Sequence, residues 1–309
     1  MMHFYKKGLS DTTLITLKKV ETACWINLVN PTDTEINFVS KLTKVETNFF
    51  KSALDLDEKP RIEIEDNIVL IIVKVPHLNE NSIVDTIPLS IIITPKNFIT
   101  ISAHKNVVIE DFIEMHIKSF FTTKTTRFCL QIMARANRNY QKHLSNIEKK
   151  IEIIEKSIHK SLKNEEIIQL LDIQKSLVYI NTAIVSNEKV LEKIMNGKVL
   201  KLYEEDKDLL EDIIIDNKQS IDMVNIYSSI LSNTMDAYAS LISNNLNIVM
   251  KFLASMTIIL SIPVIVSSFY GMNVRIPFED SRHAFLIVLL ISFGLSLLAT
   301  IVFIKKKFF

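Results

Sequence analysis

One helix-spaced line of residues near the C-terminus is almost entirely small or polar, although it runs through a strongly apolar segment. In heptad spacing this polar stripe contains Asp236, Ser240, Ser243, Asn247, Met250, Ala254, Thr257, Ser261, Val264, Ser268 and Gly271. Lipid cannot satisfy hydroxyl and amide groups, so this edge of the helix is expected to face protein or water. Two interpretations stay open: close helix packing, which small residues permit, or the wall of an aqueous pore. The pore is favoured because the stripe continues from a charged, solvated segment to the loop beyond.

The stripe ends at Gly271, which Met272 and Asn273 follow directly. The backbone carbonyl of a glycine and the side-chain amide of an asparagine are neutral oxygen acceptors. Mg²⁺ sheds water reluctantly and is usually held through retained waters, so a ring of such acceptors can bind the hydrated ion. Gly271 also lets backbones approach closely, because glycine has no Cβ. These residue types therefore suit the binding of a hydrated divalent cation.

The sequence contains two uncharged apolar stretches. The first, Phe252 to Val274, includes the stripe from Ala254 to Gly271, and the second, Ala284 to Ile304, corresponds to the chain's last helix. Each exceeds the roughly 20 residues that a helix needs to cross a bilayer. Lysines flank both, at Lys251 and at 305–307, and this excess favours a cytoplasmic location for both chain ends. Residues 1–16 lack the apolar core of a secretion signal. We expect a two-span protein of the cell membrane. Because two spans cannot enclose a channel, a pore would require a closed ring of identical subunits.

The part before the spans divides by composition. Runs such as Ile68–Val75 and Leu89–Thr94 are rich in Ile and Val, which predicts strands buried on both faces and helices packed on them. No proline lies between Pro95 and Pro263, which predicts long helices. The predicted order is a cytoplasmic α/β domain (1–120), an antiparallel helical pair (121–202), a stalk helix (203–250), a pore-lining first transmembrane helix (251–271), an extracytoplasmic loop (272–283), a second transmembrane helix (284–304) and a basic cytoplasmic tail (305–309).

The helical pair is expected at about Phe128 to Lys160 and Glu166 to Met195, and the stalk helix from near Glu204 or Asp208.

Several classes of function have little support in the sequence. The formal net charge of +1 gives no reason to expect nucleic acid as a partner. Cys24 and Cys129 offer neither a disulfide framework nor metal-site spacing, and both are expected to be packed as apolar residues. No nucleophile, base and orienting group can be assembled by spacing, so we do not expect an enzyme. No Gly-rich phosphate loop is present, so no organic cofactor is expected.

Tyr270-Gly271-Met272-Asn273 at the end of the penultimate span, followed by a second span and a basic tail, resembles the CorA family of divalent-cation channels, whose signature is this GMN triplet. The resemblance extends to Asn247–Lys251 before the membrane. It also extends to Asp57–Glu63 and Thr86–Ile93 in the N-terminal part. It therefore covers nearly the whole chain.

The resemblance implies a funnel-shaped homopentamer that passes Mg²⁺, and often Co²⁺ or Ni²⁺, inward through the membrane. Its partners would be copies of itself, membrane lipid and divalent cations. By the same resemblance the selectivity filter would be Gly271, Met272 and Asn273, the lining Asn247, Thr257, Ser261, Val264 and Ser268, and the apolar gate Met250 and Leu253. Pro263 stands about one position from its usual place, and Ser268 replaces a common glycine, which leaves fine selectivity open.

The family also implies that cytoplasmic Mg²⁺ bridges carboxylates between subunits and holds the pore shut. Asp212 is similar to a family sensor residue, and its candidate partners are Asp55, Asp57 and Glu58; ordinary solvated carboxylates are the alternative for all four. Two other functions stay open: Zn²⁺ transport, as in the ZntB branch of the family, and a membrane-tethered scaffold without transport. A scaffold's anchor would have no use for the polar stripe.

Overall fold

The structure is a computed structural model that describes residues 1–79, 83–158, 164–197, 199–274, 277–278, 281–306 and 308. The chain divides into two compact units, Met1–Asn233 and Thr234–Phe309. One long helix begins in the first unit and ends in the second.

The first unit contains a seven-stranded mixed sheet in the order β2-β1-β3-β7-β6-β5-β4. The strands are β1 (Met2–Lys6), β2 (Ile15–Leu17), β3 (Trp25–Val29), β4 (Arg61–Glu65), β5 (Ile68–Leu78), β6 (Val84–Ile93) and β7 (Phe98–Ser102). Strands β3 and β7 pair in parallel, and the other described pairings are antiparallel. Because β5 pairs with β6 from Val69 opposite Ile93 to Leu78 opposite Val84, this hairpin extends beyond the rest of the sheet.

Helices follow and cover the strands. They are α1 (Asp33–Thr43), α2 (Thr47–Lys51), α3 (Val107–Ile113), α4 (Thr125–Ile158), α5 (Asn164–Asn196), α6 (Glu204–Tyr270) and α7 (Ala284–Lys305). A capping box starts α1: the Thr32 hydroxyl accepts from the Glu35 N–H, and the Glu35 carboxylate accepts from the Thr32 N–H. The first helix of the predicted pair begins at Thr125 rather than Phe128. Its predicted end at Lys160 lies outside the described residues.

Both faces of the sheet are buried, as the Ile- and Val-rich runs predict. Side chains alternate between the faces of a strand. Thus Ile71 joins the core beneath α3, α4 and α5, whereas its neighbour Ile72 joins the core beneath α1 and α2. Trp25 is fully buried in the first of these cores, with its ring centroid 5.1 Å from that of Phe128 on α4. Cys24 and Cys129 are buried free thiols, and burial raises the pKa of Cys129 to about 12.

Side-chain amides attach the first part of α6 to the helices beside it. Asn137 Nδ2 on α4 donates to the Ile213 carbonyl at 2.9 Å, and Asn217 Nδ2 on α6 donates to the Ile184 carbonyl of α5 at 3.1 Å. On α5, Asn187 in turn exchanges two hydrogen bonds with the backbone of Lys74 in β5. This part of α6 is thereby fixed, through α4 and α5, to the sheet.

Candidate cation pathway

The second unit is built from the C-terminal part of α6 and from α7. Both helices contain an apolar window long enough to cross a membrane. These windows are 6% buried in α6 and 0% buried in α7, unlike the core helices of water-soluble proteins. The apolar side chains therefore require an apolar environment outside the single chain.

The polar stripe lies along this part of α6, and its hydroxyl groups bond back to the helix. Thr257 Oγ1 donates to the Leu253 carbonyl at 2.8 Å, Ser261 Oγ to the Thr257 carbonyl at 2.7 Å, and Ser240 Oγ to the Asp236 carbonyl at 2.9 Å. Each hydroxyl thus uses its one proton within the helix and keeps lone pairs as acceptors. The lone pairs of these three hydroxyls suit a hydrated cation better than an anion.

The expected lining and gate residues are accessible on the helix surface. Asn247, Thr257 and Ser268 are exposed and Ser261 is half-buried, while Val264 is 64% exposed. The two expected gate residues, Met250 and Leu253, are 57% and 52% exposed and lie one turn apart. From Asn247 to Gly271 the helix rises about 36 Å at 1.5 Å per residue. That rise is similar to the thickness of a bilayer core, about 30 Å.

The helix ends at the GMN triplet. The Gly271 N–H donates to the Ser268 carbonyl and the Met272 N–H to the Phe269 carbonyl, each at 3.3 Å, and this tight turn releases Met272 and Asn273 into the loop. The side chains of both residues are exposed. Gly271 does not adopt a positive φ, and a Cβ added there would lie 3.4 Å from the Ser267 carbonyl oxygen, an ordinary contact.

A groove of about 880 Å³ separates α6 from α7. Ser292 and Ser296 line its α7 wall, and the Ser296 Oγ is buried without a hydrogen-bond partner in the described part of the chain. On the α6 wall Pro263 has no N–H to donate to the Ile259 carbonyl. The sequence reasoning did not single out this α7 face, although the four-residue spacing of its two serines is a signal of one helix face.

The four candidate sensor carboxylates have different surroundings. Asp212 is exposed on α6, and Asp55 and Asp57 are exposed in the loop after α2. Glu58 is half-buried in the same loop and forms an ion pair with Arg61. Among the described residues no group of three or more His, Cys, Asp or Glu side chains is placed to hold a metal ion. One chain therefore does not assemble these carboxylates into a complete metal centre.

A polar contact between α6 and α4 was also missed at the sequence level. The Tyr227 hydroxyl on α6 donates to the Glu148 carboxylate on α4, and burial together with this acidic partner raises the pKa of Tyr227 to about 12. No spacing within either helix predicts this pair, because it depends on how the helices align. The contact fixes the axial position of α6 against α4 within the first unit.

A mixed-sheet domain, long helices and two candidate membrane helices near the C-terminus, one of which carries a polar stripe, fit a membrane protein. The model of the CorA-like Mg²⁺ transporter protein family matches residues 20–306, and the chain belongs to this family. Magnesium and cobalt transport is therefore the activity of the family to which it belongs.

Individual relatives agree with the family. The chain is 28% identical over 275 residues to the cobalt/magnesium transport protein CorA of Methanocaldococcus jannaschii, covering 86% of this chain and 84% of the relative. The complete structure of the CorA magnesium transporter from that organism superimposes with a TM-score of 0.88, at 24% identity and coverage of 100% and 99%. The ZntB cytoplasmic domain from Vibrio parahaemolyticus gives a TM-score of 0.64 at 12% identity, covering 78% of this chain and 98% of that domain. The two structural likenesses describe the fold alone.

Proposed function

We propose that the chain forms a divalent-cation channel in which identical copies surround a pore lined by the polar stripe of α6. Mg²⁺ is the proposed main cargo, with Co²⁺ and Ni²⁺ as further cargo. Asn273 and Gly271 would bind the hydrated ion at one end of the pore, and Asn247 would form a polar ring at the other. The observation that carries this proposal is the stripe of small and polar residues, among them hydroxyls with free lone pairs, on an otherwise apolar helix.

Assembly is part of the proposal. Two membrane helices cannot enclose an aqueous path, so a pore requires several copies around one axis. The family resemblance implies five. Each copy would turn its stripe toward the axis, where water satisfies the hydroxyl and amide groups, and would turn its apolar side chains toward α7 and lipid.

The proposed filter would act on the ion together with its water. Neutral carbonyl and amide oxygens accept hydrogen bonds from the waters of Mg²⁺, which the ion gives up reluctantly. The membrane potential supplies the driving force, about 2.3 kcal/mol per charge per 100 mV, hence about 4.6 kcal/mol for a divalent ion.

The proposed gate and orientation follow from the side chains at the inner end. Rings of Met250 and Leu253 would form an apolar constriction that closes by expelling water. Lys251 and the lysines after α7 favour this end, and both chain ends, on the cytoplasmic side of the cell membrane.

Regulation by cytoplasmic Mg²⁺ is proposed through Asp212 of one copy and loop carboxylates of its neighbour. Like charges repel across the boundary unless a cation lies between them. Asp57 is the favoured partner because Arg61 already neutralises Glu58, and the Asp55 Oδ1 accepts from the Asp57 N–H at 3.0 Å.

The test is a flux assay on full-length protein reconstituted in liposomes that contain a Mg²⁺ indicator, with an imposed potential, negative inside. The parent should load Mg²⁺ in proportion to the potential, and Asn273→Ala should lose most of this flux. Ser281→Ala, a substitution of another exposed polar residue of the loop, should retain it. Flux of Zn²⁺ without Mg²⁺ would favour the ZntB alternative, and absence of any ion flux would favour the scaffold and overturn the proposal.

A further inference from the structure

Two imidazole rings lie together in the first unit, far in sequence from one another and outside the proposed pathway. His77 belongs to β5, and His104 follows the end of β7. Their ring centroids are 5.3 Å apart and the ring planes differ by 19°. The sheet order places β6 between β7 and β5, so topology rather than sequence spacing brings the two histidines together.

A carboxylate is part of the same cluster. Asp85 on β6 lies directly opposite His77 in the antiparallel register, and its charge favours the protonated form of His77. One oxygen of this carboxylate, Oδ1, accepts from the Thr86 N–H at 2.7 Å. Asp85 thus acts on the charge of His77, but it is not placed to complete a three-ligand metal group with the two histidines.

The histidines are accessible and suited to metal ligation. His104 is exposed and His77 half-buried, so an ion from solution can reach both rings. Partial burial and the neighbouring His104 lower the pKa of His77 and so favour its neutral form, in which one ring nitrogen has a lone pair for a metal. Core packing does not explain an exposed imidazole stacked on another.

We propose that His77 and His104 form a site for a borderline divalent transition-metal ion such as Ni²⁺, Co²⁺ or Zn²⁺, and that this site discriminates against Mg²⁺. Neutral imidazole is a preferred ligand of these metals, whereas Mg²⁺ prefers oxygen. The rings are now stacked, so binding would require their rotation to direct one nitrogen of each at the ion. No third ligating side chain completes a metal group among the described residues, so water would fill the remaining positions. The site does not depend on ion conduction.

Carbethoxylation of histidines by diethyl pyrocarbonate, measured peptide by peptide with mass spectrometry, tests this site on the full-length protein in detergent. The reagent attacks the free nitrogen of a neutral imidazole. Ni²⁺ should slow modification of both His77 and His104, whereas Mg²⁺ at the same concentration should not. His3 is the internal control: it is exposed and also stacks on a ring, but the partner is Tyr5, at a centroid distance of 6.2 Å.

Single substitutions distinguish a shared ion from two separate ones. In His104→Ala protein, Ni²⁺ should no longer protect His77, and in His77→Ala protein it should no longer protect His104. An unchanged unfolding midpoint in the absence of metal would show that each variant is folded. Protection that survives in the single variants, equal protection by Mg²⁺, or protection of His3 to the same degree would overturn the proposal. Mg²⁺ flux through the proposed pore should be unchanged in His104→Ala, so the two proposals fail separately.

Discussion

Replacing Tyr227 by Phe tests how α6 is held against α4. Tyr227 is 8% exposed and donates its hydroxyl proton to Glu148, and its pKa is raised from 10.0 to about 12. At neutral pH the phenol is protonated in both the folded and the unfolded chain. Tyr227→Phe then removes one hydrogen bond to an exposed carboxylate, so the free energy of unfolding should fall by about 1 kcal/mol.

The alkaline range gives a larger and more specific effect. When the pKa of a group is higher in the folded chain than in the unfolded chain, its protonated form stabilises the fold. This stabilisation is fully present below the pKa of the unfolded chain and is lost as the pH rises to the pKa of the folded chain. For Tyr227 this window runs from pH 10.0 to about 12. Across it the parent should lose up to about 3 kcal/mol, because each pKa unit corresponds to about 1.4 kcal/mol. The Phe variant lacks this titration, so its stability should first approach and then exceed that of the parent.

Urea unfolding of the full-length protein in detergent, followed by tryptophan fluorescence, measures this difference. Trp25 is the one tryptophan in the sequence and is fully buried in the core of the first unit, so its emission reports that unit. Lysines titrate in the same range in both proteins and cancel in the comparison. Tyr203→Phe, a change at a 62% exposed tyrosine, is the control and should track the parent. A constant difference between parent and Tyr227→Phe from pH 8 to 12 would refute the reasoning.

Three further predictions concern the pore, the sensor and a helix cap. Asn247→Leu should reduce Mg²⁺ flux about tenfold or more, because a hydrogen bond to a charged species contributes roughly 1.5–3 kcal/mol; Asn245→Leu, about 200° around the helix, should leave the flux nearly unchanged. Asp212→Ala channels should need more internal Mg²⁺ to close, whereas Asp208→Ala channels should close like the parent; equal closure in both variants would remove the sensor role. Thr32→Ala should lower the free energy of unfolding by about 1 kcal/mol, measured by the same fluorescence, and no change would contradict the capping box.

Composition predicted the long helices well because nothing in their sequence competes with helix. The stalk helix was expected to start near Glu204 or Asp208, and α6 begins at Glu204. Strand β1 was not anticipated: its short, partly charged sequence carries little strand signal. It is stabilised by pairing with β3, a contact that no local pattern reveals.

Strands β5 and β6 are longer than predicted, and their ends show why. The predicted runs began or ended near prolines, yet β5 continues through Pro76 and β6 includes Pro88. Proline has no backbone N–H, so it is disfavoured in a strand that pairs with a neighbour along both of its edges. Strand β4 pairs only with 68–72 of β5, and β7 only with 89–93 of β6. Both prolines therefore lie where their strand has a single described neighbour, and a missing N–H can be tolerated.

Contacts within the single chain explain the fold, but they do not explain the residue types of the proposed pore. Within one chain, the neighbouring residues Ser268 and Phe269 are both exposed on α6, Phe269 to 60%. Lipid is a suitable environment for Phe269 but not for the hydroxyl of Ser268. Gly271 shows the same pattern: in the described part of the chain, neither its φ nor the contacts of an added Cβ require glycine. A helix with one polar and one apolar surface needs two environments, and the single chain gives no reason for glycine at position 271. In the proposed channel, copies of α6 around a wet axis would account for both observations, and the stripe would be visible in the sequence because its residue types are constrained from outside the single chain.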